Sequence, residues 1–169
     1  MKYCAKCFIA IITFASASAF ADDMSDCQKA KGAYLTGVVN SSPVFVHGHD
    51  KNFNGHRIEL SHTHLTFKES NSGATYDVAI DNVFAPGYDQ SPHSVPSPLN
   101  TIRIGDTVNL CGIIYSGGGK KGIHWVHNNC SEVASSNKPN GFLNVVNAKG
   151  VKSKNLESSE EYCGIWPQH

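Results

Sequence analysis

The nine histidines are the residues in this chain best suited to chemistry, and all of them follow residue 21. Two H-x-H pairs stand out, His47/His49 and His62/His64. On a strand, residues two apart share a face, and two imidazoles on one face can hold zinc or copper. Both pairs also lie near expected strand ends, where histidine is an ordinary polar surface residue. The spacing alone names no metal, so the cofactor reading is none, with a divalent metal as the alternative. His124-Trp125-Val126-His127 is an H-x-x-H run. Its surroundings are strand-like, and residues three apart on a strand point to opposite faces. One imidazole is then expected to enter the edge of the core and donate to a backbone carbonyl, while the other faces outward. A β-bulge would restore a shared face.

No nucleophile signature accompanies these histidines. The chain has no G-x-S-x-G, no Walker-A loop and no H-E-x-x-H. Gly117-Gly118-Gly119-Lys120-Lys121-Gly122 is friendly to anions but lacks the Ser/Thr and helix of a phosphate cradle, and it reads as a hairpin connection.

The elements that position these residues follow a secretory leader. Lys2 and Lys6 give a positive start, Cys7 to Phe14 an apolar core, and Ala19-Phe20-Ala21 an A-x-A cleavage site before Asp22. That order is a Sec-type signal peptide over residues 1–21. A membrane anchor is the alternative, but a span needs roughly 20 apolar residues and this core is shorter. No later segment is apolar enough to cross a membrane. The location expected is periplasmic or secreted. Removing the leader leaves 12 basic and 14 acidic residues, a net charge of about −2, which gives no field for a polyanion and no case for nucleic acid.

Residues 22–169 fit one domain. Cys27, Cys111, Cys130 and Cys163 remain, an even number in an exported chain, and read as disulfides. Three pairings are possible; the one favoured joins Cys27 to Cys163 across the termini and staples a hairpin with Cys111–Cys130. No close C-x-x-C pair points to zinc.

A short helix is expected over residues 24–31, capped by Ser25 or Asp26. Strands are expected at Tyr34–Asn40, Val44–His47, His56–Leu60, His64–Lys68, Thr75–Ile80, Thr107–Tyr115, Ile123–Asn128 and Gly141–Val146. In His56–Leu60, alternation places His56, Ile58 and Leu60 on one face and Arg57 and Glu59 on the other. Pro86, Pro92, Pro96 and Pro98 make residues 85–100 a long exposed loop. The fold class is mainly β: a small, OB-like, five- to six-stranded barrel with short helical pieces and disulfide staples. Its core is expected over about residues 33–147, with a polar tail pinned by Cys163 and Trp166. A β-sandwich is the second choice.

Gly105-Asp106-Thr107-Val108, Gly112, Tyr115, Gly119, Ile123-His124-Trp125-Val126-His127 and Gly141-Phe142 form a pattern with Gly55-His56-Arg57-Ile58 and Ala79–Pro86 upstream. The pattern resembles a family of short exported bacterial proteins of unknown function with a G-D-x-V and a G-G-x-I-H-W-T-H hairpin. The match spans roughly residues 36–146, and its specific part is the I-H-W-x-H core. The resemblance implies an OB-like barrel. Where that family has acids near the hairpin, this chain has Ile113 and Asn129, and Val126 replaces a threonine. Acid–base chemistry needs those acids, so the expectation leans away from an enzyme.

The favoured function is a non-enzymatic binding or scaffold module with His56, Arg57, Trp125 and His127 bordering its groove. Its partner is a protein, peptide or oligosaccharide of the envelope. Such a module would support envelope function or virulence in a host-associated bacterium. The alternative is a metal-dependent hydrolase or nuclease using His56, His124 and His127.

Overall fold

The computed structural model describes residues 17–117, 119–130 and 133–165. The apolar heart of the expected leader, Cys7 to Phe14, and Trp166 lie outside the described residues.

Helix α1 (Ala17–Lys29) starts earlier and ends sooner than the helix expected over residues 24–31 with Ser25 or Asp26 as its cap. Those two residues are interior to the helix. Asp23 and Cys27, one turn apart, form its buried face. The helix stops where Lys31 turns left-handed (φ 63°) and Gly32 donates to the Cys27 carbonyl.

Seven strands follow: β1 (Ala33–Val39), β2 (Val44–Phe53), β3 (His56–Glu69), β4 (Thr75–Asp81), β5 (Thr107–Gly117), β6 (Lys120–His124) and β7 (Phe142–Val146). The expected mainly β class holds. β2 runs six residues beyond the expected end at His47, because the Asn54-Gly55 turn (φ 49° and 82°) folds it back on β3. The two expected strands at 56–60 and 64–68 are one continuous strand. Of the polar residues between them, Ser61 and Thr63 are buried with partners: Thr63 donates to Asn82, and Ser61 accepts from the Asn82 amide and contacts the Tyr88 hydroxyl.

Pairing runs β1–β3–β4–β6–β5 and returns from β5 to β1. All these pairs are antiparallel except β4–β6, which meet in parallel only at Asp77–Gly122 and Val78–Ile123. β2 lies outside this path on β3, and β7 extends it beyond β5. The result is a seven-stranded sheet curled into a partial ring, where the sequence reading drew a barrel of five or six strands.

The main core fills the curl with Val39, Leu65, Phe67, Val78, Ile80, Leu110, Ile123 and Leu143, all nearly inaccessible to solvent. A second cluster of Ile58, Leu60, Val83, Phe84, Tyr88 and Ile165 sits under the β2–β3 extension. It corrects the expected alternation in β3. Residues 58–61 are all buried, Glu59 included, because segment 85–93 covers the second face. The loop expected to be exposed over residues 85–100 is therefore partly covered: Ala85, Tyr88 and Leu99 are buried, and a 3-10 turn forms at Leu99–Thr101.

The cysteines pair as Cys27–Cys111 and Cys130–Cys163. Disulfide bonding of all four is as expected, but the favoured pairing is overturned. The buried face of α1 packs on β5, which puts Cys27 beside Cys111. Strand β6 ends at His124, so the chain reaches Cys130 away from the hairpin and close to the C-terminal segment. Among the described residues, no helix is long and apolar enough to cross a membrane.

Candidate functional site

Three groups of chemistry-bearing side chains emerge from this fold. The first begins at a bulge in β2. Register shifts between Val46 and His49, leaving His47 and Gly48 opposite Ser61. A Cβ on Gly48 would lie 1.6 Å from the Leu60 carbonyl oxygen, so the bulge needs glycine there. The bulge aims both residues at Glu59: His47 Nδ1 is 2.9 Å from Oε1, and the Gly48 N–H donates to the same oxygen at 3.0 Å. His93 Nδ1 comes within 3.2 Å of the other oxygen, Oε2, and its ring lies 5.1 Å from that of His47.

Three hydrogen bonds pin the loop that carries His93. The Glu59 N–H donates to the Gln90 side-chain oxygen, the Gln90 amide donates to the Arg57 carbonyl, and the Tyr88 hydroxyl donates to the Glu59 carbonyl. His93 itself is left-handed (φ 44°), a costly conformation for a non-glycine residue. Burial pushes the Glu59 carboxyl up, but the hydrogen bonds from His47, Gly48 and His93 outweigh it and hold it below its ordinary value. The two imidazoles are exposed while the carboxylate is buried. One ligand atom each from His47, Glu59 and His93 lie within 4.8 Å of one another. Beside them opens a cleft of about 320 Å³ lined by Asp50, Arg57, Gln90 and Ser91.

The second group lies across β3, β4 and β6. His62 Nε2 meets Asp81 Oδ1 at 2.7 Å, and His64 Nδ1 meets Asp77 Oδ2 at 2.9 Å. The Tyr115 hydroxyl also donates to Asp77, and its ring stands edge-on to His124. On the far side of Asp81 is His127, with Nε2 at 3.4 Å from Oδ2. That distance is an electrostatic contact and not a formed hydrogen bond, in keeping with the unpartnered state of Nε2. His127 Nδ1 donates to the Asn128 carbonyl at 2.6 Å, and the ring is buried against Phe84. Asp81 is held well below the usual carboxylate range: burial raises it, and His127 and His62 together overcome that. His62 is raised, chiefly by its bond to Asp81. His124 is lowered, chiefly by burial. Glu157 is fully buried with neither side-chain oxygen partnered, and burial raises it well above its ordinary value.

The third group is a cleft of about 420 Å³ lined by Thr66, Thr75, Asp77, Lys120 and Lys121. It sits where β3 and β4 pass the β5–β6 hairpin loop.

The residues singled out in the sequence are scattered among these groups. Arg57 lines the first cleft and pairs with Asp50. His56 stands exposed next to the Asn54-Gly55 turn. Trp125 is left-handed (φ 57°) just past the end of β6 and donates through Nε1 to the Pro139 carbonyl. His127 is the expected core-edge histidine that donates to a carbonyl, and its ring lies 4.8 Å from that of Trp125. At 1% exposure it offers little surface to a ligand. His56, His124 and His127 do not form a converging ligand set among the described residues; the set that converges is His47, Glu59 and His93. In the sequence His47 pairs only with His49, and no motif joins it to Glu59 or His93. The signal present was His93 in a proline-rich loop, 34 residues from Glu59, and nothing local linked the two.

Comparison with known proteins finds no matching family model, no matching curated protein and no matching solved structure.

Proposed function

We propose that this protein is an exported, disulfide-stapled, non-enzymatic binding module built as an OB-like barrel. It would bind an extended, acidic, polar ligand of the cell envelope. The leader pattern of residues 1–21 supports export, and the two cystines accord with an oxidising compartment. The strand order β1–β3–β4–β6–β5 with its return to β1 supports the OB-like reading. So does the resemblance in the I-H-W-x-H segment.

The observation that carries the binding role is the cleft over β3 and β4 beside the β5–β6 loop. Five-stranded barrels of the OB kind use this face and its bordering loops to take oligosaccharides and oligonucleotides. Lys120 and Lys121 offer cationic donors, Thr66 and Thr75 offer hydroxyls, and Asp77 orders the polar row behind them. The net negative charge of the mature chain and the size of the cleft favour an acidic oligosaccharide or peptide over a long nucleic acid. Ile113 and Asn129 stand where the resembled family has acids, which supports binding over hydrolysis.

The test is to screen the mature protein, residues 22–169, on arrays of acidic oligosaccharides and acidic peptides. The expected result is a hit that the double substitution Lys120→Glu, Lys121→Glu abolishes without lowering the melting temperature. Hits indifferent to both lysines, or turnover of the ligand, would overturn the reading.

A further inference from the structure

We infer that His47, Glu59 and His93 form a zinc-class metal site, holding one divalent transition ion with at least one coordination position open to the neighbouring cleft. This site is separate from the cleft under Lys120 and Lys121 and does not depend on the function proposed for it.

The donor set is two imidazole nitrogens and one carboxylate. Zinc takes such donors at about 2.0–2.2 Å, which sets tetrahedral ligand atoms about 3.4 Å apart. The two histidine-to-carboxylate distances, 2.9 and 3.2 Å, run to the two different oxygens of Glu59, and one ligand atom from each residue lies within 4.8 Å of the others. Closing the three donors onto one ion takes side-chain shifts of about 1 Å, which the exposed His47 and His93 side chains can make.

The surroundings point to a built site more than to a chance surface triad. Glu59 is buried, and its backbone is fixed through both its N–H and its carbonyl by Gln90 and Tyr88. The Gly48 N–H orients one carboxylate oxygen, the kind of supporting bond that tunes a metal ligand. The β2 bulge is possible only with glycine at position 48, and its effect is to turn His47 toward Glu59. His93 adopts a left-handed backbone and arrives at the same carboxylate. Two local costs, a bulge and a left-handed histidine, thus converge on one acid.

The open position faces the cleft lined by Asp50, Arg57, Gln90 and Ser91. Soft thiolates are absent from the set, since the four described cysteines are in disulfides. Imidazole with carboxylate suits zinc and its neighbours in the first transition row over calcium or magnesium.

The experiment is calorimetric titration of zinc chloride into the full mature chain, purified without a histidine tag and stripped with EDTA. The expected result is one ion per chain, with affinity lowered about tenfold or more by His93→Ala and by His47→Ala, and unchanged by His62→Ala. Cobalt(II) absorption gives a second readout: tetrahedral-type bands in the native chain, lost in His93→Ala. His93 is exposed in a loop, so its replacement leaves folding intact, which circular dichroism checks. No zinc binding, or binding that His47→Ala and His93→Ala leave unchanged, would overturn the inference.

Discussion

The imidazole of His127 lies flat on the ring of Phe84, with centroids 3.7 Å apart and planes 4° from parallel. Both rings are almost completely buried. They join the second hydrophobic cluster to the His62–Asp81 pair, so the packing of one depends on the other. Replacing Phe84 by alanine should cost about 3–5 kcal/mol, the range for a large aromatic removed from a core. Urea denaturation at pH 7 measures it. A loss under 1 kcal/mol would mean that the stack contributes little.

Asp81 and His62 impose a pH dependence with a definite sign. Asp81 is depressed in the folded chain, so its contribution is present above the unfolded value of about 3.9 and disappears as the pH falls. His62 is raised, so its contribution is complete below about 6.5 and disappears as the pH rises through its folded value. The pair therefore stabilises most between these limits. Asp81→Asn should cost about 1.5–3 kcal/mol there and less at pH 8. Proton NMR should show His62 titrating above its ordinary value in the native chain and lower in Asp81→Asn. His124, lowered chiefly by burial, should titrate below its ordinary value.

Glu157 acts in the other direction. Burial raises it well above its ordinary value, so folding favours the protonated carboxyl, and stability falls as the pH climbs past the unfolded value. Glu157→Gln should therefore stabilise the protein, by about 1–2 kcal/mol at pH 8 and by less at pH 4. Melting curves of the two proteins at both pH values give the comparison. Equal effects at both would show that the native carboxyl is not held neutral.

The two disulfides should differ in weight. Cys27–Cys111 spans 84 residues of sequence and Cys130–Cys163 spans 33. Loop-closure entropy gives about 4.5 kcal/mol for the first and about 3.7 kcal/mol for the second. Cys27→Ser/Cys111→Ser should be the less stable double variant by urea midpoint. Gly32→Ala tests the same region, because a Cβ there would lie 2.4 Å from the Cys111 sulfur.

Much of the fold was legible in the residues. Period-two patterns located all seven strands at least in part, and the Gly117–Gly122 run marked the β5–β6 hairpin. What escaped was information that is not local. His-Asp-Lys-Asn does not look like a strand, and β2 extends through it only because β3 supplies its pairing and Asn54-Gly55 supplies the turn. Alternation puts Arg57 and Glu59 on one face, yet Glu59 is buried under Tyr88 and Gln90 from a loop distant in sequence while Arg57 stays exposed. The cysteine pairing failed for the same reason, since which sulfurs meet depends on where α1 docks. Local pattern alone puts His124 and His127 on one strand, yet Trp125 turns left-handed and ends it. Even so, the core-edge role expected for one of the two fell to His127.

The proposed binding role requires export followed by oxidation into this pairing. Intact mass and non-reducing peptide mapping, applied to the protein recovered from the extracytoplasmic fraction of its native host, test that most directly. The predicted result is a chain beginning at Asp22 with Cys27 linked to Cys111 and Cys130 linked to Cys163. An uncut chain in the cytosol with free thiols, or Cys27 linked to Cys163, would contradict it.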